Sequence, residues 1–431
     1  MSAIVSLRGR RVWDSRGRPT VEAEIRLDGG AVGRAIAPAG ASTGSGEALD
    51  LRDGGRALGG LGVARAVAAV NEVIAPALAG LDGTDQAALD LKLIALDGTS
   101  NKGRLGGNAI VAVSMAAAHA AAAARGMPLW QHLLGDAEPL IPLPEIQIFG
   151  GGAHAAARID LQDVMVMPLG AATFDQACEW TAEVYRAAGA RLAAKGKLQG
   201  VADEGGYWPA VDSNEEVLAE AVAAIEAAGF KPGRDLALSL DIAATQLRRD
   251  GRYHLTRDGK VLDTDAMVRL MLEWLGRYPI ASIEDPLAED DAAGLAAFTT
   301  EAGKRVQIIG DDFLVTNAAR VKDAASRGIC NAVLVKPNQA GTLTEAKAAL
   351  EAGKEARWGT IVSARSGETE DVTIAHLAVG WRSGQLKVGS FARSERMAKW
   401  NEVLRIEESL GRAARFAGRA ALPAGALPEK P

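Results

Sequence analysis

Aromatic side chains are scarce in this chain, at 4% of residues, so a large interior has to be assembled mainly from Ala, Val, Leu and Ile. Cysteine is scarcer still. Cys178 and Cys330 stand far apart with no Cys-x-x-Cys spacing, which argues against a disulfide framework or a thiolate metal site and suits a reducing, cytoplasmic setting. No strong charge of either sign is present. A formal net charge of −6 leaves no basic face of the kind that phosphate-backbone binding requires, so nucleic acid is not an expected partner. Long apolar runs are also missing. The start, Met1 to Arg8, holds no extended apolar segment, and the Ala-rich stretch Ala116–Ala124 carries His119 and reads as packed helix, so neither a signal peptide nor a membrane span is expected.

Glycine is plentiful, 49 residues, and implies many tight connections. A chain of 431 residues is natural for a small domain followed by a barrel of roughly 250 residues or more. Val21 to Leu27 alternates apolar and polar side chains, Asp28-Gly-Gly turns the chain, and Ala31 to Ala37 returns, which predicts a β-hairpin with one wet face. Helical spacing follows over Val63–Ala79, Asp85–Leu96 and Asn108–Leu134. Residues 1–138 therefore read as an α+β domain. Beyond Pro142 the rhythm changes to short aliphatic runs separated by helical stretches: Val164–Met167, Leu236–Leu240, Ile280–Ile283, Val306–Ile309, Ala332–Val335, Thr360–Val362 and Leu386–Val388. Such β/α alternation predicts a parallel sheet closed into a barrel over residues 139–412, an α/β fold class. Residues 413–431, rich in Ala, Gly and Pro, read as a frayed tail.

The chemistry sits where those runs end. Asp241, Glu284, Asp311 and Lys336 follow successive runs and Lys387 lies within the last, so in a parallel barrel all five face the C-terminal mouth. Taken singly, each acid at a strand end is more often a helix cap or an ion-pair partner. Three in register with two lysines reverse that balance. Carboxylate oxygens without His or Cys partners suit Mg²⁺ acting as a Lewis acid. A lysine facing a metal and a second ammonium would have its charged form disfavoured, which makes Lys336 a candidate general base for a proton next to a carboxylate.

Nine collinear strings then carry a resemblance: Asp14-Ser-Arg-Gly-Arg-Pro-Thr-Val-Glu22, Gly40-Ala-Ser-Thr-Gly44, Leu51-Arg-Asp-Gly54, Asp203-Glu-Gly-Gly206, Ser282-Ile-Glu-Asp-Pro286, Gly310-Asp-Asp312, Lys336-Pro-Asn-Gln339, Arg365-Ser-Gly-Glu-Thr-Glu-Asp371 and Ala392-Arg-Ser-Glu-Arg396. In order, from about residue 4 to about residue 410, they resemble the enolase (phosphopyruvate hydratase) family, which pairs a lysine base with Mg²⁺. The resemblance implies an N-terminal α+β domain and an enolase-type TIM-like (β/α)8 barrel. It implies that Asp241, Glu284 and Asp311 hold Mg²⁺, that Lys336 takes the C2 proton of 2-phosphoglycerate, and that Glu204 helps the C3 hydroxyl leave. Lys387 would pair with the substrate carboxylate, Arg365 and Ser366 would clamp its phosphate, and Ser42 would reach a second Mg²⁺. His154, Gln162 and Asp163 would line the pocket. Homodimers or higher homo-oligomers are implied as well.

The departures cluster. Ala364 stands where the family reads Ser-His-Arg-Ser-Gly-Glu, Asp163 where it reads Gln-Glu-Phe-Met, Gly46 where a histidine is common in the mobile loop, and Gly150 where it reads Asn-Gly-Gly-x-His. Groups for enolate formation survive, while groups near the leaving hydroxyl and the closing loop differ. This opens a second expectation, a diverged paralogue of the kind found in phosphonate biosynthesis, resembling carboxyphosphonoenolpyruvate synthase. An acid–sugar dehydratase is disfavoured by the phosphate-side residues, and a non-catalytic binding protein by the intact ligands and base. His119, His132, His254 and His376 read as structural, and Glu289-Asp-Asp291 as a helix cap.

Overall fold

A computed structural model of the chain describes residues 2–423. Strands β1 (Ile4–Trp13), β2 (Pro19–Leu27) and β3 (Val32–Ile36) form an antiparallel sheet in that order. The apolar positions of β2, Val21, Ala23, Ile25 and Leu27, are buried as expected, but the other face is wet only toward its end: Thr20 and Glu22 are buried as well and Arg26 is exposed. β2 and β3 lie against the helix Gly107–Ala124. That helix is long and apolar enough to cross a membrane, yet 15 of its 18 residues are buried inside the protein, so it reads as a core helix. The rhythm from Asn108 to Leu134 is two helices rather than one. The first stops at Ala124, Gly126 turns left-handed at φ 67°, and Pro128 starts the helix Leu129–Leu134.

Eight strands then close a barrel: β4 (Leu143–Gly150), β5 (Asp163–Met167), β6 (Ala237–Asp241), β7 (Ile280–Glu284), β8 (Gln307–Gly310), β9 (Ala332–Val335), β10 (Gly359–Ser363) and β11 (Gly384–Ser390). They pair in chain order and β11 closes on β4. Every predicted run is a strand within two residues of its expected bounds. β4 was not among them. Its side chains are buried throughout, and the polar Glu145 and Gln147 alternate with Ile146 and Ile148, so it shows no aliphatic run.

The sheet is not wholly parallel. β5 runs antiparallel to both β4 and β6, because the link from Gly150 to Asp163 is a loop with one 3-10 turn and no crossover helix. This reversal matters for the site: the first residue of β5, Asp163, pairs with the last of β6, Asp241, and therefore stands at the mouth. Outer helices start at side-chain caps, with Thr173, Ser213, Asp263, Asp291, Asn317 and Thr342 each accepting a first-turn N–H. Such caps contribute about 1 kcal/mol each. Asp291 is the cap expected from the acidic run.

The end of the chain corrects the expectation of fraying from residue 413. Phe416 bridges to Ile141, Gly418–Ala421 forms a 3-10 turn, and Leu422 packs with Leu143, Met167, Ala237 and Ala281, closing the floor of the barrel. Apolar burial of this segment holds it in place. Residues 424–431 of the expected tail lie outside the described residues.

Candidate active site

The C-terminal mouth holds a small cavity lined by Ser42, His154, Gln162, Asp163, Glu204, Asp241, Lys336, Arg365, Ser366 and Lys387. Glu284 and Asp311, both buried, stand beneath it and meet it through the lysines. Lys387 Nζ donates to Asp241 Oδ2 at 2.8 Å and to Glu284 Oε2 at 2.7 Å, and it stands 3.6 Å from Asp163 Oδ2. Lys336 Nζ donates to Asp311 Oδ2. Asp311 Oδ1 accepts from Gln339 Nε2 at 2.8 Å. The three predicted metal ligands therefore gather around two ammonium groups.

The local electrostatics favour adding positive charge. Glu284 Oε1 is buried with no hydrogen-bond partner, and burial together with Asp241 pushes the Glu284 carboxyl well above the usual carboxylate range. Burial and Asp311 likewise push Asp312 up to about 7. An all-oxygen donor set with an orphaned carboxylate oxygen fits a hard divalent cation. Burial, the largest influence on Lys336, would lower its pKa, but the Asp311 and Glu284 charges together outweigh it and hold the lysine above its ordinary value. The same balance, with Asp241 and Glu284 as partners, holds Lys387 well above it.

Two tight groupings of potential ligand atoms, each within 4.8 Å, occur among the described residues: His154–Asp163–Glu204 and Asp285–Asp311–Asp312. The second is a brace, since Asp285 accepts the backbone N–H groups of Asp311 at 2.9 Å and Asp312 at 2.8 Å. The first flanks the cavity. His154 Nδ1 lies 3.2 Å from Asp163 Oδ1 and its Nε2 lies 3.8 Å from Glu204 Oε1. Burial works against the imidazolium, yet Asp163 and Glu204 hold the His154 pKa above its ordinary value. Gln162 turns its amide to Asp241, donating to Oδ2 at 3.0 Å, and so braces a predicted ligand as well as lining the cavity.

On the other wall Arg365 is buried and held by the loop over the mouth. Its guanidinium donates to Glu47 Oε2 at 2.8 Å, to the Ser42 carbonyl at 2.7 Å and to Asn338 Oδ1 at 3.3 Å. Gly40 makes this approach possible, since a Cβ there would collide with the guanidinium. Ser366 Oγ accepts from Arg16 Nη1 at 3.1 Å, and Arg396 anchors the segment by donating to the Arg365 and Ser366 carbonyls. Glu47 and Arg16 were not singled out by sequence patterning. Arg16 lies within the segment Asp14–Glu22, which was its one available signal, and Glu47 lies three residues beyond Gly44.

The departures are structural facts too. Ala364 lines the cavity beside Val388, and His154 is the one histidine among the described lining residues. At Gly46 a Cβ would come within 2.9 Å of Arg320 Cζ and 3.1 Å of Val315 Cγ2, so the room for a side chain is taken by Arg320.

Comparison with protein-family models places this geometry. Residues 4–133 match the model described as the enolase N-terminal domain, and residues 138–424 match that of the enolase C-terminal TIM barrel domain.

Proposed function

Because the chain belongs to the enolase family, we propose that it is a Mg²⁺-dependent lyase that converts 2-phosphoglycerate, or a close phosphorylated analogue, to phosphoenolpyruvate or the corresponding enolpyruvate. The observation that carries this reading is the convergence of Lys336, Glu204, Lys387 and Arg365 on one cavity above three buried carboxylates. Lys387 and Arg365 are the cations that would orient the substrate carboxylate and phosphate, with Ser366 beside the latter. With its Asp311 partner engaged by the metal ion, Lys336 would lose the charge that holds it protonated, and its neutral amine would accept the C2 proton. Glu204 would give a proton to the C3 hydroxyl, which leaves as water while the C2–C3 double bond forms. When bound by Asp241, Glu284 and Asp311, Mg²⁺ supplies the positive charge that makes a doubly charged enolate accessible. Ser42 on the loop would reach a second ion with the phosphate. Replacing Lys336 by Ala tests the base: deuterium exchange at C2 of 2-phosphoglycerate should vanish, and its persistence would rule Lys336 out.

A second reading is favoured by one observation. Ala364 and Val388 present an apolar wall where the family motif carries an imidazole. That wall suits a diverged, carboxyphosphonoenolpyruvate synthase-like reaction on a related phosphorus-containing substrate. Slow dehydration of 2-phosphoglycerate with C2 exchange retained would mark it. A homo-oligomer belongs to the same proposal, supported by the open edge of β1, which displays Val5 and Trp13 with Arg11 stacked on the Trp13 ring.

A further inference from the structure

On β4, below the cavity, Gln147 is fully buried and paired in register with Ser390 of β11. Its amide joins two segments that come together only in the fold. Nε2 donates to Asp163 Oδ1, the oxygen that also faces His154, while Oε1 accepts the Gly206 N–H at 2.7 Å, two residues beyond Glu204. Space for the amide is left by two glycines: a Cβ at 206 would come within 2.8 Å of Gln147 Cδ, and one at 150 within 3.2 Å of its Nε2. The turn bearing Glu204 is fixed further by Ser390 N–H to the Glu204 carbonyl at 2.9 Å and by Tyr185 O–H to the Gly205 carbonyl at 2.9 Å.

Both ends of the Gln147 amide are used, so its length is constrained. Asp163 is a short carboxylate at the start of β5, and the amide that meets it is a long one. Removing a methylene, about 1.5 Å of chain, from Gln147 would leave one of its two partners unmet. Adding a methylene to Asp163 would make up that reach from the other side.

We propose that Gln147 is a positioning residue whose length is matched to Asp163, so that the pair sets where His154 and Glu204 stand relative to the leaving hydroxyl. Gln147 hydrogen-bonds neither the base nor the predicted metal ligands, and its partner Asp163 meets Lys387 only at 3.6 Å through the other carboxylate oxygen, so its influence falls chiefly on the acid half of the elimination. The inference rests on the elimination proposed above.

The test is a cycle of Gln147→Asn, Asp163→Glu and the double variant. In Q147N, kcat for dehydration falls by at least about tenfold while KM stays within about twofold and C2 exchange within about threefold. The double variant recovers to within about threefold of wild type. Losses that simply multiply in the double variant, or an equal loss of exchange and dehydration in Q147N, would overturn the proposal. A wild-type protein inert toward 2-phosphoglycerate would sink the proposed elimination instead, and the pairing is then read without substrate. Labelled-histidine NMR should show the His154 pKa falling in Q147N and returning in the double variant, whereas an unmoved titration refutes the pairing. If Q147N does not fold, the isosteric Q147E keeps the shape and sets a carboxylate against Asp163. The acid limb of its pH–rate profile, or the His154 titration, should move to higher pH, and superposition on wild type overturns the proposal.

Discussion

Replacing Glu284 by Gln removes one charge from the three-carboxylate set and little of its volume. In protein stripped of metal the change should cost little, because Glu284 Oε1 has no partner and the carboxyl is already pushed upward by burial and by Asp241. Lys387 keeps Asp241 at 2.8 Å and an amide oxygen can replace Glu284 Oε2. With metal the outcome differs. Outer-shell partners alone change metal affinity by about 10–100-fold, so losing an anionic ligand should weaken binding by at least about a hundredfold. At free Mg²⁺ of about a hundred times the wild-type Kd, binding stabilises wild type by about 2.7 kcal/mol and the variant by about 0.4 kcal/mol. For cooperative unfolding of 431 residues, with an entropy of about 0.9 kcal/mol/K, these correspond to shifts of about 3 °C and about 0.5 °C. Thermal melts in EDTA and in Mg²⁺ measure both. A variant that gains the full wild-type shift, or that melts far below wild type in EDTA, would refute the assignment of Glu284 as a ligand.

Acid should loosen the contact between the two domains. Burial lowers the His376 pKa from its ordinary 6.5 to about 4, with Glu402 and Asp371 opposing that shift and the edge-on ring of His119 adding to it. A base with a depressed folded pKa favours the unfolded chain as pH falls from about 6.5 to about 4, so about 3 kcal/mol of stability is lost across that window. His376→Gln should flatten the melting temperature over the same range, and an unchanged slope would assign the acid sensitivity elsewhere. Arg365→Lys keeps the charge but loses the fork that meets Glu47 and Ser42, so KM for 2-phosphoglycerate should rise by at least about tenfold. An unchanged KM would confine Arg365 to holding the loop.

How much of this was legible in the sequence follows from the range of the interactions. Strands β6 to β9 show as aliphatic runs with a charged residue at or just past their ends, and β11 carries Lys387 within its run, because a parallel barrel buries its strands and directs their ends to one mouth. Asp241, Glu284, Lys336 and Lys387 could be placed for that reason. β4 gave no such signal, since its inner face is polar, and the reversed direction of β5 depends on a loop without periodicity. The contact that holds Lys336 charged, with Asp311, is a tertiary fact, 25 residues distant in the chain. Arg16 meets Ser366 across 350 positions, Arg365 meets Glu47 across 318, and Gln147 meets Gly206 across 59. No local pattern encodes such pairings.

The central claim is tested most directly by following the absorbance of phosphoenolpyruvate formed from 2-phosphoglycerate, with Mg²⁺ and with EDTA, beside Lys336→Ala. The account predicts Mg²⁺-dependent product formation that the Lys336→Ala variant lacks. No product with Mg²⁺, together with no deuterium exchange at C2, would contradict it.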